Sequence, residues 1–522
     1  MTPCPPLRSA YDEVIYPSYT HPQTHPSRLG VIGALFGLNP AGADHCRVLE
    51  LGCGNGSNLV PMAEGFPESE FVGIDLAGVP VALGQGMIQD LGLRNIRLVQ
   101  GSVADIGADW GHFDYIIAHG LFSWVPAGIR AAILRVCRAN LHPRGLAFIS
   151  YNALPGSHLR LMLREMMLFH TRGFAAPGER IRQARALAQF LAEAQNSKDE
   201  YQLWMKAELE RIQDHDDGHI FHDELAEVNE PFSFTQFMAQ ATEQGLQFVG
   251  EADFHEMFAH GFSEAARQGL SQLGRDRPRR EQYLDFLKCR RFRQTLLCHR
   301  EVVLQAEAQA DRVAHLLVSS PVKFTREETA DPGGVRVYQS PKGGTCATDY
   351  ALGKAALTIL EAHWPLPLPF AELFQRATKA TGEAGTSSAA GEEAALQLAE
   401  FLLQLFSAGV VEFRTFVPGV VRVAGEYPKV CPVARWQAQH GDVVASRFHV
   451  AVKVEDEVGR FLLSTLDGTL NRAVLVDKMR ERFKIKDPQA LAGQDEETVR
   501  KSIEQDLERN LAKLAALGLL VG

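Results

Sequence analysis

Val48-Leu49-Glu50-Leu51-Gly52-Cys53-Gly54-Asn55-Gly56-Ser57-Asn58 is the stretch on which the fold turns. A β-branched apolar run, CRVLELG at 46–52, leads into three glycines spaced two apart and then into a helix start. In an open α/β sheet such a strand–turn–helix junction binds the ligand, because backbone without Cβ atoms lets it approach closely. Two features separate the stretch from a dinucleotide fingerprint: the third glycine comes at the fifth position rather than the sixth, and Glu50 precedes the loop. That carboxylate would repel a pyrophosphate and attract a ligand with a positively charged amino-acid end.

Four more short apolar runs follow: EFVGIDL (70–76), NIRLVQG (95–101), FDYIIAHG (113–120) and GLAFISYN (145–152). Segments such as AAILRVCRANLHPRG (131–145) lie between them with helical spacing. The alternation predicts a parallel sheet wrapped by helices. Asp75 ends the second run, 19 residues after Gly56, where an acidic side chain can accept both hydroxyls of a ribose. Gly101-Ser102-Val103 ends the third run and can line an adenine face, with Asp105 slightly further on.

The chain has 522 residues, 46% hydrophobic and 22% charged, enough for three or four domains and too apolar for a disordered chain. No apolar run approaches the roughly 18–20 residues of a spanning helix, and the Pro-rich start MTPCPPLRSA lacks a signal-peptide core. Lys plus Arg total 53 against 63 Asp plus Glu, a net charge of −10, which disfavours a nucleic-acid partner. Eight scattered cysteines without a C-x-x-C pair fit a reducing, cytoplasmic setting and no structural zinc.

Beyond the sheet, 157–230 reads as helical (SHLRLMLREMMLFH, ERIRQARALAQFLAEAQ), and helical spacing continues through most of 231–316 with a Pro-containing break at 274–280. Residues 317–345 carry the alternation and Gly turns of a hairpin. Residues 355–413 and 460–522 then follow one plan: helix, turn, helix, variable linker, and a long amphipathic helix ending before a short strand. This predicts a duplicated winged-helix-like module. With 14 Lys/Arg against 14 Asp/Glu in 433–522, the second copy has no electrostatic footprint for a phosphate backbone and reads as an interaction or packing module. The expected division is 1–156 for a Rossmann-like domain with an N-terminal arm, 157–230 for a helical insertion, 231–345 for a middle domain, and 346–425 and 426–522 for the two modules.

Glu-x-Gly-x-Gly-x-Gly with a strand-end acid at this spacing resembles the class I S-adenosylmethionine-dependent methyltransferases. Several further blocks, in order over roughly 10–305, narrow the resemblance: YDEVIYPSYTHPQTHPSRLGVIGALFGLNP, HGLFSWVP, SYNALPG, EVNEPFSFTQFMAQATEQGLQFVGEADF and YLDFLKCRRFRQTLLCHRE. Together they look like the bacterial methyltransferases with a methyltransferase regulatory domain, including the rickettsial-type protein-lysine methyltransferases of outer membrane protein B. The resemblance implies S-adenosylmethionine as methyl donor, S-adenosylhomocysteine as product, lysine side chains of a protein as acceptor, and a homodimer. In the family pattern an Asp often stands where Ser102 does, which leaves the adenine amino contact to backbone or to Asp105. Methylation of a small molecule or another nucleophile, and a donor-binding scaffold without turnover, stay open as alternatives.

The donor site is expected at Glu50, Gly52, Gly54, Gly56, Asn58, Asp75, Ser102, Asp105, His119, Gly120 and Trp124. Methyl transfer needs an oriented, neutral amine, so polar groups at the cleft edge are candidates for handling it. Tyr16 and His25, with Tyr11, Tyr19 and Thr24, belong to an arm that precedes the sheet and can close over the donor. Asn152 follows the fifth strand and is an amine-acceptor candidate. His215, His219 and His222, among several Asp, have the spacing of metal ligands, but Asp216-Asp217-Gly218 breaks the register and no metal is expected. The basic run at 275–300, nine Lys/Arg against three Asp/Glu, is expected to pair with the acidic segment 251–256.

Overall fold

The computed structural model describes residues 9–195, 199–274, 276–327, 334–341, 343–382, 388–486 and 495–522. The five apolar runs form β1 (Arg47–Leu51), β2 (Glu70–Asp75), β3 (Ile96–Gln100), β4 (Phe113–Ala118) and β5 (Leu141–Asn152). All five are parallel, with Val48 opposite both Phe71 and Tyr115, and the order is β3-β2-β1-β4-β5. The carboxyl end of β1 therefore lies where the strand order reverses, the ligand-binding crevice of such sheets. Val48, Phe71, Ile117 and Phe148 pack on one face with helices Pro26–Leu35, Leu59–Gly65 and Gly78–Leu91. Leu49, Val72, Ile116 and Ala147 pack on the other with Ala127–Asn140 and Phe234–Glu243. Burial on both faces explains why these strands read as continuous apolar runs.

The helical spacing expected through 231–316 is interrupted by two strands. β6 (Leu246–Glu251) and β7 (Phe292–His299) pair antiparallel with each other, and β7 pairs antiparallel with β5, extending the sheet to seven strands. The signal is disguised because each strand carries a buried charge that reads as solvent-facing. Arg293 is fully buried, its Nη1 lying 2.5 Å from Glu251 Oε1 and its Nη2 2.8 Å from Asp285 Oδ1 and 3.1 Å from Glu281 Oε2. Lys288 and Arg290 both pair with Glu256, so the basic run does meet the acidic segment.

Helices Ser157–Thr171, Pro177–Ala194 and Glu200–Gln213 form a separate small core and lead into a π-helix, Ile220–Glu224. The predicted hairpin is three-stranded, Lys323–Glu327, Arg336–Gln339 and Thr345–Thr348, and residues 328–333 lie outside the described residues.

Both C-terminal modules are present. The first has helices Ala351–His363, Phe370–Thr381 and Ser388–Ser407, and the second has Glu457–Thr465, Arg472–Lys486 and Glu496–Ala516. The linkers at 383–387 and 487–494, like the chain start with Cys4, lie outside the described residues. In each module a leading strand closes the fold: Leu317–Ser319 pairs with Glu412–Arg414, and Lys429–Val430 with Leu520–Val521. No helix among the described residues is long and apolar enough to cross a membrane.

Candidate active site

The β1 turn forms a cradle. Gly52, Gly54 and Gly56 adopt φ of 76°, 53° and 73°, the left-handed region that glycine occupies without strain. A side chain at Gly56 would press on Leu98, and one at Gly84 in the neighbouring helix would collide with the Asn55 carbonyl. Asp75 stands at the end of β2 beside the loop. Its Oδ2 accepts from Gly54 N–H at 2.8 Å and its Oδ1 from Ala77 N–H at 2.9 Å, and burial raises its pKa.

Glu50 is 4% exposed. Its Oε1 accepts from Asn58 Nδ2 at 2.7 Å, while Oε2 is buried and has no hydrogen-bond partner among the described residues. Burial pushes the carboxyl up to about 8, against the Asn58 hydrogen bond that lowers it. A buried acceptor without a donor is costly, and an alkylammonium group would satisfy it. The residues present thus fit the amino-acid end of S-adenosylmethionine.

The N-terminal arm crosses this cradle. Asp12 Oδ1 accepts from Val79 N–H at 2.8 Å, close to Asp75, and Ser18 Oγ lies where a Gly54 side chain would point. His21 N–H donates to Asn58 Oδ1 at 3.0 Å, and the His21 ring lies 3.8 Å from that of His119 just beyond β4. Burial holds His21 down at about 4 and His119 well below the ordinary imidazole value. His119 Nδ1 has no partner among the described residues.

The other predicted residues are more dispersed. Ser102 caps the short turn Val103–Asp105, accepting from Ala104 N–H, and Asp105 is exposed. Gly120 N–H donates to Ser150 Oγ at 2.7 Å, and half-buried Trp124 ends the turn Phe122–Trp124. Asn152 closes β5, its Nδ2 donating to Asn229 Oδ1 at 2.9 Å. Tyr16 sits in an aromatic group with Tyr11, His219 and His222, and burial raises its hydroxyl pKa. His25 caps the helix Pro26–Leu35, its Nδ1 accepting from Ser27 N–H, and its ring packs on Phe416 and His449. His222 stacks on Tyr11 at 3.9 Å and contacts the Val14 carbonyl, and the His219 ring lies 4.9 Å from that of Tyr16, so these histidines hold the arm.

Three family models match separate parts of the chain: a methyltransferase domain at 48–145, a predicted methyltransferase regulatory domain at 216–299 and a PKMT C-terminal winged helix domain at 426–519. PKMT2 from Rickettsia typhi superimposes with a TM-score of 0.85 at 28% identity, covering 97% of this chain and 100% of that one, and its complex with AdoHcy gives 0.84. The chain belongs to the class I S-adenosylmethionine-dependent methyltransferases of the rickettsial PKMT type.

The uncharacterized protein RP028 of Rickettsia prowazekii is 38% identical over 241 residues, 46% of this chain and 96% of the relative. The uncharacterized protein RP789 of the same organism is 38% identical over 304 residues, 58% of this chain, which spans only 55% of that relative's length. Sequence reasoning missed His21, Ser18 and Asn229, and it missed His449, whose Nε2 lies 2.8 Å from Asn58 Oδ1. The order of elements in this methyltransferase gave no local sign of that last contact, which spans 391 residues.

Proposed function

We propose that the protein transfers methyl groups from S-adenosylmethionine to lysine side chains of a protein, with a surface or outer-membrane protein as the acceptor class that the family resemblance suggests. The observation that carries the reading is Glu50 Oε2, without a hydrogen-bond partner among the described residues and buried beside a glycine cradle one strand from Asp75. S-adenosylmethionine, when bound, supplies an electrophilic methyl group on a sulfonium and leaves as S-adenosylhomocysteine.

In this reading Glu50 Oε2 receives the ammonium of the donor's methionine part and Asp75 the two ribose hydroxyls. The glycines at 52, 54 and 56 give the backbone close access, with Asn58 holding Glu50. Ser102, Asp105, Gly120 and Trp124 border the adenine. His119 is assigned the acceptor side: its free Nδ1 takes a hydrogen bond from the incoming neutral amine and aims the nitrogen lone pair. An imidazolium there would repel both sulfonium and ammonium, and the depressed pKa values of His21 and His119 keep that face uncharged. Tyr16 and Asn152 are assigned to the substrate approach, and His25 to fixing the arm.

The protein acceptor is supported by the full-length likeness to PKMT2 and by the size of the chain beyond the sheet. A homodimer is supported by exposed Phe169 and Phe190 on the helical insertion. A cytoplasmic location is supported by seven free cysteines among the described residues. The test is incubation of the protein with methyl-labelled donor and fractionated surface proteins, followed by mapping of the label by mass spectrometry. Label on lysine supports the reading, and label confined to small molecules or nucleic acid rejects it.

A further inference from the structure

The second C-terminal module reaches the donor site through one residue. A hairpin of Val443–Ala445 and Ala451–Lys453 carries His449 at its tip, 3% exposed, with φ of 59°. That left-handed conformation is uncommon for a side chain larger than glycine or asparagine. The hairpin is anchored through Arg447 at the start of its loop. Arg447 N–H donates to the Gly518 carbonyl of the module's own core at 2.9 Å, and Arg447 Nη2 pairs with Glu64 at 2.6 Å on the helix that begins directly after Asn58. Trp436 Nε1 adds a 3.0 Å hydrogen bond to Asp90. His449 Nε2 meets Asn58 Oδ1 at 2.8 Å.

The chemistry of these partners fixes the orientation of the Asn58 amide and the tautomer of His449. The backbone N–H of His21 can only donate, so the atom of Asn58 facing it is the carbonyl oxygen. Asn58 therefore turns its NH2 toward Glu50 Oε1, and His449 must carry its proton on Nε2 to donate to the same oxygen. Burial keeps His449 neutral, with His25 and His21 the titratable groups beside it. A chain of His449 to Asn58 to Glu50 thus runs from the C-terminal module to the carboxylate assigned to the donor's ammonium.

We propose that His449 is a positioning residue of the donor site, fixing Asn58 and through it Glu50, so that the donor site is complete only when the C-terminal module is docked. This rests on the donor-binding reading above. Displacement of the hairpin leaves Asn58 Oδ1 to His21 N–H and Thr24 Oγ1 alone, which loosens the amide whose NH2 keeps Glu50 ionisable and aimed. The charged neighbour of Glu50 is Asp75, with the Cys53 thiol also beside it.

Calorimetric titration of S-adenosylhomocysteine into the full chain between pH 6 and 9 tests the proposal. H449A is expected to weaken binding about tenfold and to move the pH midpoint of binding upward, because Glu50 loses its stabilising donor. H449Q, which keeps an N–H near the Nε2 position, is expected to stay within about twofold of the parent, and H449A added to N58A to cost nothing further. The proposal is overturned if H449A leaves affinity and midpoint unchanged, if its loss is as large in the N58A background, or if H449Q loses as much as H449A. H449Q decides the matter should H449A fail to fold. Unaltered binding by E50Q would overturn the donor-site reading itself, whereas a normal E50Q loss with a silent H449A overturns only the coupling.

Discussion

The Gly52–Asn58 loop and the histidine-lined segments facing it are built by opposite electrostatic means. On the loop side two carboxylates, Glu50 and Asp75, are buried beside backbone N–H groups and an amide. On the facing side His21, His119 and His449 are all held neutral by burial. In the proposed reading the difference matches what each side would handle: a donor with fixed positive charge needs an anion, and an amine that attacks as a free base at His119 needs surroundings that do not favour a second cation.

Four substitutions break or sharpen this contrast. Asp75→Ala is expected to have the largest effect, about 1000-fold weaker binding of S-adenosylhomocysteine by calorimetry, from two hydroxyl hydrogen bonds to a charged acceptor at about 1.5–3 kcal/mol each. A loss under about tenfold would remove Asp75 from the ribose. His119→Ala is expected to lower kcat about 100-fold with product affinity within about threefold, because its proposed contact is to the amine and not to the donor. An equal loss of affinity would place His119 on the donor side instead.

Glu50→Gln is expected to weaken donor binding about tenfold and to remove its pH dependence. With a carboxyl pKa of about 8, the free protein holds a proton at pH 7 that the donor-bound protein must release. Affinity therefore rises about tenfold from pH 6 to pH 7 and levels off near pH 8, with close to one proton released at pH 7. Titrations in buffers of different ionisation enthalpy measure that proton, and a flat profile in the parent protein would contradict it. Ser102→Ala is expected to be the smallest change, about fivefold in product affinity, through loss of a turn cap worth about 1 kcal/mol. A larger loss would put the Ser102 hydroxyl on the adenine directly.

The donor half was legible because its signals are local. Glu50, the three glycines and Asp75 lie within 26 residues, and each strand carries its burial on its face as an unbroken apolar run. β6 and β7 were not legible, because Glu251 and Arg293 neutralise one another across 42 residues and each alone reads as exposed. The duplicated modules were visible as a repeated order of helices, but not their leading strands, which at three and two residues are too short for any periodicity.

The sequence by itself determined a doubly covered parallel sheet, a glycine cradle suited to a cationic amino-acid ligand, and a repeated helical plan at the C-terminus. Only the tertiary structure decided the contacts across the cradle: the arm pinned by His219 and His222, His21 against His119, and His449 on Asn58. Side-chain periodicity carries information over one or two turns of chain. Contacts that close loops of 37 to 391 residues are fixed instead by how whole units pack, here by the docking of the second module through Arg447 and Trp436.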